Sequence, residues 1–303
     1  MSGSHEHGHA TRTTSRTRLA IAFGVAVAVF VLQLIGGLVA NSLALLADAA
    51  HVATDAGGVG LALFAATMAL RPATSGRTYG WLRLEVLTAA INAALRLAVG
   101  GWVLLEAVNR LRDPGAVQTT TMLIVATIGM AANGVSLWVL AGADRRNLNI
   151  RGAYLEVLAD LLGSAAVIAA ALIIRITGFD RADSVVAILI ATAIVPRTLK
   201  LLREALDVLL EATPKGVDLD AVRSHLLATD GVLDVHDLHA WTITSGLPVL
   251  SAHVVIGEVD LSAGLGGAVL DRISHCLAGH FDVDHCTFQL ESAEHQAHER
   301  TPC

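Results

Sequence analysis

Six long apolar segments constrain the fold of this chain more than any other feature of its sequence. A helix needs about 20 predominantly apolar residues to cross a bilayer. The segments cover residues 19–40, 43–70, 86–108, 119–142, 153–176 and 185–199. The last is the shortest and contains Pro196, which a helix in a membrane bundle tolerates. We therefore expect an α-helical membrane protein with six transmembrane helices.

The composition excludes several other classes of protein. Only 16% of the 303 residues are charged and 54% are hydrophobic, whereas soluble domains average about 25% charged residues. The net charge of −6 offers no basic surface for nucleic acid. Three cysteines, Cys276, Cys286 and Cys303, are too few for a disulfide framework. They are either reduced cytosolic thiols or, for Cys286 and Cys303, metal ligands.

The Lys and Arg residues that flank the segments predict the orientation in the membrane. Twelve lie just before the first segment, at the end of the last segment or just after it, or in the second-to-third and fourth-to-fifth loops. Four lie in the other three loops or beside them, which are Arg110, Arg112, Arg175 and Arg181. Because cytoplasmic loops collect Lys and Arg, we expect both termini of a multi-pass membrane protein to be cytoplasmic.

The sequence after about Pro214 has the density of charged residues of a soluble domain. Helical spacing covers 217–229 and 262–279, whereas β-branched residues are frequent in 232–244, 247–257 and 284–291. The order α-β-β-α-β predicts a small two-layer α+β domain. We expect a His-rich stub at 1–18, a membrane domain at 19–211, this cytoplasmic domain at 212–292 and a flexible tail at 293–303.

Ionisable side chains inside the segments carry the chemistry, because each is costly in a bilayer. His51 and Asp55 are four residues apart, and Glu156 and Asp160 repeat that spacing, so each pair lies on one helix face. One imidazole and three carboxylates suffice for a tetrahedral divalent ion. No Lys or Arg accompanies these residues in the same turns, so we expect a metal ion or protons to neutralise them.

Binding of a metal ion requires deprotonated ligands, so metal entry would expel protons and protons would expel metal.

Two nearby charged residues each allow more than one role. Asp48 either orients the His51 ring from behind or caps the start of the span. For Arg96, in the third segment, three roles are open: it pairs with Glu106, it pairs with a carboxylate near the metal site, or its side chain extends to the membrane surface.

Three runs of sequence resemble signatures of the cation diffusion facilitator family. They are NSLALLADAAH at 41–51 followed by Asp55, GAYLEVLADLLGS at 152–164, and HDLHAW at 236–241. The resemblance implies a homodimer of six-span chains, a ferredoxin-like α+β cytoplasmic domain, and export of Zn²⁺ in exchange for protons. It also implies His51, Asp55, Glu156 and Asp160 as transport ligands. Many zinc-selective members have His in place of Glu156, so Cd²⁺ and Co²⁺ remain alternative substrates.

The resemblance also suggests site residues in the cytoplasmic domain. His236, His253, His285 and Glu291 match positions of metal ligands, for Zn²⁺ that stabilises or regulates; alternatively they are ordinary polar residues of a small sheet. Arg83 and Glu211 match a charge pair that links membrane and soluble parts. The amino-terminal stub HEHGH at 5–9 either gathers metal weakly or is a solvated end.

Two other functions compete with transport. A metal-dependent membrane hydrolase would need an open-coordinate metal and a general base, usually in an H-E-x-x-H motif, and the sequence has none. The chain is therefore not expected to be an enzyme. A membrane metal sensor without flux would use the tail but leaves two pairs of ligands in different spans unexplained.

Overall fold

The computed structural model describes residues 7–141, 148–257, 264–280 and 285–298. Within these ranges six helices are long and apolar enough to cross a membrane, which confirms the predicted fold class. They are α1 His7–Ala40, α2 Leu43–Ala69, α3 Leu84–Arg112, α4 Thr119–Ala141, α5 Leu148–Thr177 and α6 Arg181–Leu209. Several extend beyond the predicted spans, because the apolar pattern marks only the part of a helix that lipid surrounds. Helix α6, for example, continues through Pro196 to Leu209.

Two compact units divide the chain, one made of residues up to 63 and 91–201 and the other of 64–90 and those after 201. Small residues form much of the core of the first unit, which lets the helices approach closely. Ala44 and Ala47 of α2, Ala126 of α4 and Ala170 of α5 belong to this core. Large apolar side chains point outward instead, such as Trp138, which is 78% exposed. Such a surface suits lipid contact rather than water.

Glycine permits one of the closest contacts in this unit. A Cβ on Gly36 of α1 would lie 2.5 Å from Cγ2 of Val125 on α4. No real Cβ approaches another carbon so closely, so any larger residue at position 36 would push the two helices apart.

The second unit contains the α+β domain in the predicted order. After α7 Leu219–Leu227 come β1 Val232–Thr242, β2 Pro248–Ile256, α8 Gly266–His280, β3 His285–Glu291 and the short α9 Ala293–Gln296. Strand β2 is central, antiparallel to β1 and parallel to β3. Val235, Leu250, Val254 and Ile273 are among the residues of its core.

Two boundaries differ from the sequence-based expectation. Strand β1 ends at Thr242, because Leu247 donates a backbone hydrogen bond to Thr244 in the turn that follows. The tail expected to be flexible from residue 293 begins instead with α9, which Ser292 caps by accepting a hydrogen bond from His295 N. Within the amino-terminal stub, the backbone is helical from His7, whereas His5 lies outside the described residues.

Candidate metal sites

Three ionisable side chains of the membrane helices meet inside the first unit. His51 and Asp55 come from α2 and Asp160 comes from α5, and one ligand atom from each lies within 4.8 Å of the others. His51 Nδ1 is 3.5 Å from Asp55 Oδ2, and His51 Nε2 is 3.8 Å from Asp160 Oδ1. The imidazole thus lies between two carboxylates, so one ring nitrogen can bind an ion while the other donates to a carboxylate.

Burial leaves some of these atoms without the partners that polar groups normally have. The side chains of His51 and Asp160 are only 17% and 9% exposed. In the described part of the chain, His51 Nδ1 and Asp160 Oδ1 have no hydrogen-bond partner. Because buried polar atoms are almost always hydrogen-bonded, this arrangement fits a site built to receive an ion.

Glu156, the fourth predicted ligand, lies beside this cluster on α5. Its carboxyl group is within hydrogen-bonding reach of Asp55. It is not, however, one of the three residues whose ligand atoms all lie within 4.8 Å of one another. The structure therefore brings three of the four predicted ligands together and leaves Glu156 next to them.

Arg96 of α3 pairs with a carboxylate of the cluster, which is one of the three alternatives that the sequence left open for it. Its Nη2 is 2.5 Å from Asp55 Oδ1 and donates to the backbone oxygen of Thr54 at 3.3 Å. Glu106, the other partner considered for Arg96, instead accepts a hydrogen bond from Arg110. The spacing along α2 and α5 gave no sign of Arg96, because it reaches the site from a third helix.

Asn92, one turn before Arg96, completes the anchorage of the guanidinium. The Asn92 amide is oriented so that both its nitrogen and its oxygen have hydrogen-bond partners. The nitrogen donates to Thr54 O at 3.1 Å, and the oxygen accepts from Arg96 Nε at 3.3 Å. A Cβ on Gly58 would lie 2.5 Å from the terminal amide atom of Asn92 that faces it, so glycine there permits this approach. Neither Asn92 nor Gly58 was singled out from the sequence.

Asp48 is fully buried and hydrogen-bonded between three helices. It accepts from Gln33 Nε2 of α1 at 2.6 Å and from Ser164 Oγ of α5 at 3.4 Å, both through Oδ2. These contacts differ from both sequence-based alternatives, since they neither orient the His51 ring nor cap the span. Asp48 ties α1, α2 and α5 together beside the site.

A cavity of about 360 Å³ connects the cluster with the second half of α6. Its lining includes His51, Arg96 and Glu156 beside the cluster, and also Arg197 and Leu201 of α6. The cavity is large enough for hydrated ions, since one water needs only about 30 Å³ of liquid volume.

The cytoplasmic domain holds a second group of potential ligands, His236 of β1, His253 of β2 and Glu291 of β3. The antiparallel register places His236 opposite His253. His236 Nε2 makes a very short contact with Glu291 Oε1, and His253 Nδ1 is 3.8 Å from Glu291 Oε2. Because the three side chains converge from neighbouring strands, they fit a metal site that supplies two nitrogens and a carboxylate.

Two residues near this group were not predicted. Asp237 Oδ2 is 4.0 Å from His253 Nδ1, at a bulge in β1 where Asp237 has a φ of +47°. His295 Nε2 is 3.9 Å from Glu291 Oε2. Close by, the Gln296 amide donates to Asp234 and holds the pKa of that carboxyl below its ordinary value.

Within one chain, His285 is not part of this group of three, although the sequence predicted it as a ligand. It opens β3, whereas Glu291 closes it six residues later, and six strand residues span about 20 Å. The His285 ring is instead 6.4 Å from that of Tyr79. Cys286 is half-buried in β3 and is not among the metal-binding groups found in the described residues, and Cys303 lies outside them.

Contacts within the second unit connect the start of α3 with the end of α6 and with the sheet domain. Arg83 Nη2 lies 2.7 Å from Glu211 Oε1, an exposed ion pair between the two residues singled out from the sequence. Glu85 accepts hydrogen bonds from Thr244 Oγ1 at 2.6 Å and Ser245 Oγ at 3.2 Å, in the turn after β1. The sequence offered no signal for this second link.

Comparison with known families matches almost the whole chain. Residues 19–210 match the cation efflux transmembrane domain, and residues 214–293 match the cytoplasmic domain of cation efflux proteins.

Several known proteins are similar to this chain. The metal cation efflux system protein CzcD of Cupriavidus metallidurans is 44% identical over 87% of this chain and 82% of its own length. The zinc transporter ZitB of Escherichia coli is 38% identical over 86% and 82%, and the cadmium, cobalt and zinc/H(+)-K(+) antiporter of Bacillus subtilis is 36% identical over 88% and 85%. A solved metal-bound C-terminal domain of the CzcD transporter is 41% identical and covers 25% of this chain and 99% of its own, with a TM-score of 0.23.

Proposed function

This chain belongs to the cation efflux family, the cation diffusion facilitators, and is a metal cation efflux protein; we propose that it exports Zn²⁺, with Cd²⁺ and Co²⁺ as alternative substrates, in exchange for protons. The observation that carries the proposal is the convergence of His51, Asp55 and Asp160 in the interior of the membrane unit. These residues and Glu156 are the proposed transport ligands. The names of the similar proteins, which include zinc, cadmium and cobalt, support this range of metals.

Proton exchange follows from the chemistry of the proposed ligands. A carboxylate and an imidazole nitrogen bind either a proton or a metal ion through the same lone pair, so the two cations compete. Protons that reach the site from outside the cell would release the metal, and metal from the cytoplasm would release the protons. A site that opens alternately to each side then couples the two fluxes.

Access from the cytoplasm is supported by the cavity and by the distribution of positive charges. The cavity next to His51 extends to Arg197 and Leu201 of α6. The positive residues that follow in α6 and those of the alternate loops support a cytoplasmic location for this end. We accordingly propose a multi-pass protein of a bacterial cell membrane with both termini cytoplasmic.

The cytoplasmic domain is proposed to bind Zn²⁺ through His236, His253 and Glu291 and to mediate a homodimer. A metal held there would join the three strands of the sheet and so stabilise the domain. The same cluster favours the second candidate function, a membrane metal sensor without transport activity, because it lies outside the spans.

Flux measurements in proteoliposomes test the proposal. We expect ⁶⁵Zn²⁺ or Cd²⁺ to enter vesicles that contain the wild-type chain and an acidic lumen, while a pH dye reports that the lumen becomes more alkaline. Asp55→Asn and Asp160→Asn should abolish both signals. Glu106→Gln is the matched control, because that carboxylate is also in a membrane helix but pairs with Arg110.

The outcomes test separately the proposed site, the choice between transporter and sensor, and proton exchange. Metal flux that persists in both aspartate variants would exclude the proposed site. A wild-type chain that binds metal but moves none would exclude transport and leave the sensor. Metal flux without a change in luminal pH would exclude proton exchange alone.

A further inference from the structure

Among the described residues, Arg96 is the positively charged side chain that forms an ion pair with a proposed ligand, whereas Arg197 lines the cavity further along α6. Arg96 contacts Oδ1 of Asp55, whereas the other oxygen, Oδ2, faces His51 Nδ1 at 3.5 Å. A carboxylate can be held by a guanidinium through one oxygen and still offer the second to an ion. Arg96 therefore does not block Asp55; it fixes the orientation in which Asp55 faces the site.

The anchorage of Arg96 indicates that it keeps this position when an ion arrives. Its guanidinium also bonds to the backbone oxygen of Thr54 and to the Asn92 amide. Its side chain is only 16% exposed. Neither of these contacts involves a proposed ligand, so ion binding would leave them in place.

The charges of the proposed ligands and of the ion indicate what Arg96 does. With an ion bound, Asp55, Glu156 and Asp160 contribute three negative charges, and neutral His51 contributes none. A divalent ion supplies only two positive charges, which would leave an uncompensated negative charge in the membrane interior, where such charge is costly. Arg96 carries a permanent positive charge and supplies the third.

We propose that Arg96 is the fixed counter-charge and positioning residue of the transport site, which makes a one-histidine, three-carboxylate site electrically neutral with a divalent cation. This inference rests on the proposed function, since it takes Glu156 to be a ligand together with the group of three.

A charge-exchange series tests the proposal by the kcat/KM of Zn²⁺ and Cd²⁺ flux. Arg96→Gln leaves one negative charge in excess, and Glu156→His, which keeps a metal-binding nitrogen, leaves one positive charge in excess. We expect the kcat/KM of Arg96→Gln to fall about 10- to 100-fold, the usual effect of changing a residue that supports a metal ligand. The kcat/KM of Glu156→His should fall as well, because its occupied site carries an uncompensated positive charge. The double variant Arg96→Gln/Glu156→His is balanced again and should recover at least about tenfold over either single variant.

The controls separate this inference from folding and from the proposed function. Arg110→Gln removes another arginine of α3, paired with Glu106 away from the site, and should leave flux within about twofold. A double variant that is no more active than Glu156→His alone would overturn the role of Arg96. That comparison holds even if Arg96→Gln by itself does not purify as a folded protein. Absence of flux in the wild-type chain would instead reject the proposed function.

Discussion

Asp183 in the first turn of α6 caps the start of α2 through Ser42 and the backbone that follows. Its Oδ1 accepts hydrogen bonds from Ser42 Oγ at 2.6 Å and from Ala44 N at 3.2 Å, and its Oδ2 accepts one from Leu43 N at 2.6 Å. The first N–H groups of a helix have no partner within it. A buried carboxylate from α6 thus satisfies them just after the sharp turn at Asn41, where φ is +52°.

Removal of this cap should destabilise the protein. Asp183→Ala leaves at least two buried N–H groups of α2 and the Ser42 hydroxyl without their acceptor. We expect the free energy of unfolding to fall by about 2–3 kcal/mol, since the lost bonds are charge-assisted and buried. Unfolding of the detergent-solubilised protein, followed by circular dichroism, measures the change. Asp180→Ala, three residues earlier, removes none of these bonds, and an equal loss in both variants would contradict the capping role.

Gly163 provides a second test, because it lies against the buried Asp48. A Cβ at position 163 would lie 2.7 Å from Asp48 Oδ1, and Gln33 and Ser164 hold that carboxylate in place. Gly163→Ala should therefore cost about 1–3 kcal/mol of stability through overpacking. It should also reduce metal flux, since Asp48 and Gly163 line the cavity beside the transport ligands.

The matched control for this change is Gly134→Ala in α4. The nearest atom to its added Cβ would be Leu161 Cδ1 at 4.0 Å, an ordinary contact. Because alanine favours the helix over glycine by about 1 kcal/mol, this variant should melt at the same or a higher temperature. A Gly163→Ala protein that melts as high as Gly134→Ala would show that Asp48 moves aside without cost.

The sequence predicted the parts of the membrane site that depend on a single helix. The spacing of His51 and Asp55, and of Glu156 and Asp160, follows from the helical repeat alone. The contact between Arg96 and Asp55 depends on how α3 is rotated against α2, and on Gly58, which lets Asn92 approach. Such rotation is set by packing across helices, which no spacing along one helix reports.

The limits of prediction in the cytoplasmic domain have a different cause. Helices and strands appeared in the predicted order because their local patterns are clear. The position of His285 depended on the pairing of β3, which runs parallel to β2 and places His285 beside Val249 and Glu291 beside Val255. Proximity to the ligand group is therefore decided by strand direction and register, which the residue types alone did not reveal.

The two links in the second unit should differ in strength. Arg83 and Glu211 form an ion pair whose side chains are 42% and 56% exposed, and exposed pairs contribute about 0–1 kcal/mol. Thr244, in contrast, is 8% exposed and donates to Glu85 at 2.6 Å. We expect Thr244→Val to lower the stability by about 1–2 kcal/mol and Arg83→Gln by less than about 0.5 kcal/mol. Thermal unfolding of the two variants gives the ranking, and a larger effect for Arg83→Gln would reverse it.

We expect the cytoplasmic domain to bind Zn²⁺ through its group of three potential ligands. His236, His253 and Glu291 meet from three strands, so His253→Ala should remove one Zn²⁺ per chain from the binding stoichiometry of the purified full-length protein, measured by equilibrium dialysis. It should also remove the zinc-dependent rise in the melting temperature of this domain, because a metal that binds only the folded state stabilises it.

His285→Ala tests whether position in the sheet, rather than loss of any histidine, decides the result. His285 lies about 20 Å from Glu291 along β3, so its removal should leave the Zn²⁺ stoichiometry of the protein unchanged. Metal flux should survive both changes, since neither touches the membrane ligands. An equal loss of Zn²⁺ in the two variants would mean that the ligand set extends beyond the three strands of one chain, and a normal stoichiometry in His253→Ala would exclude the cluster as a metal site.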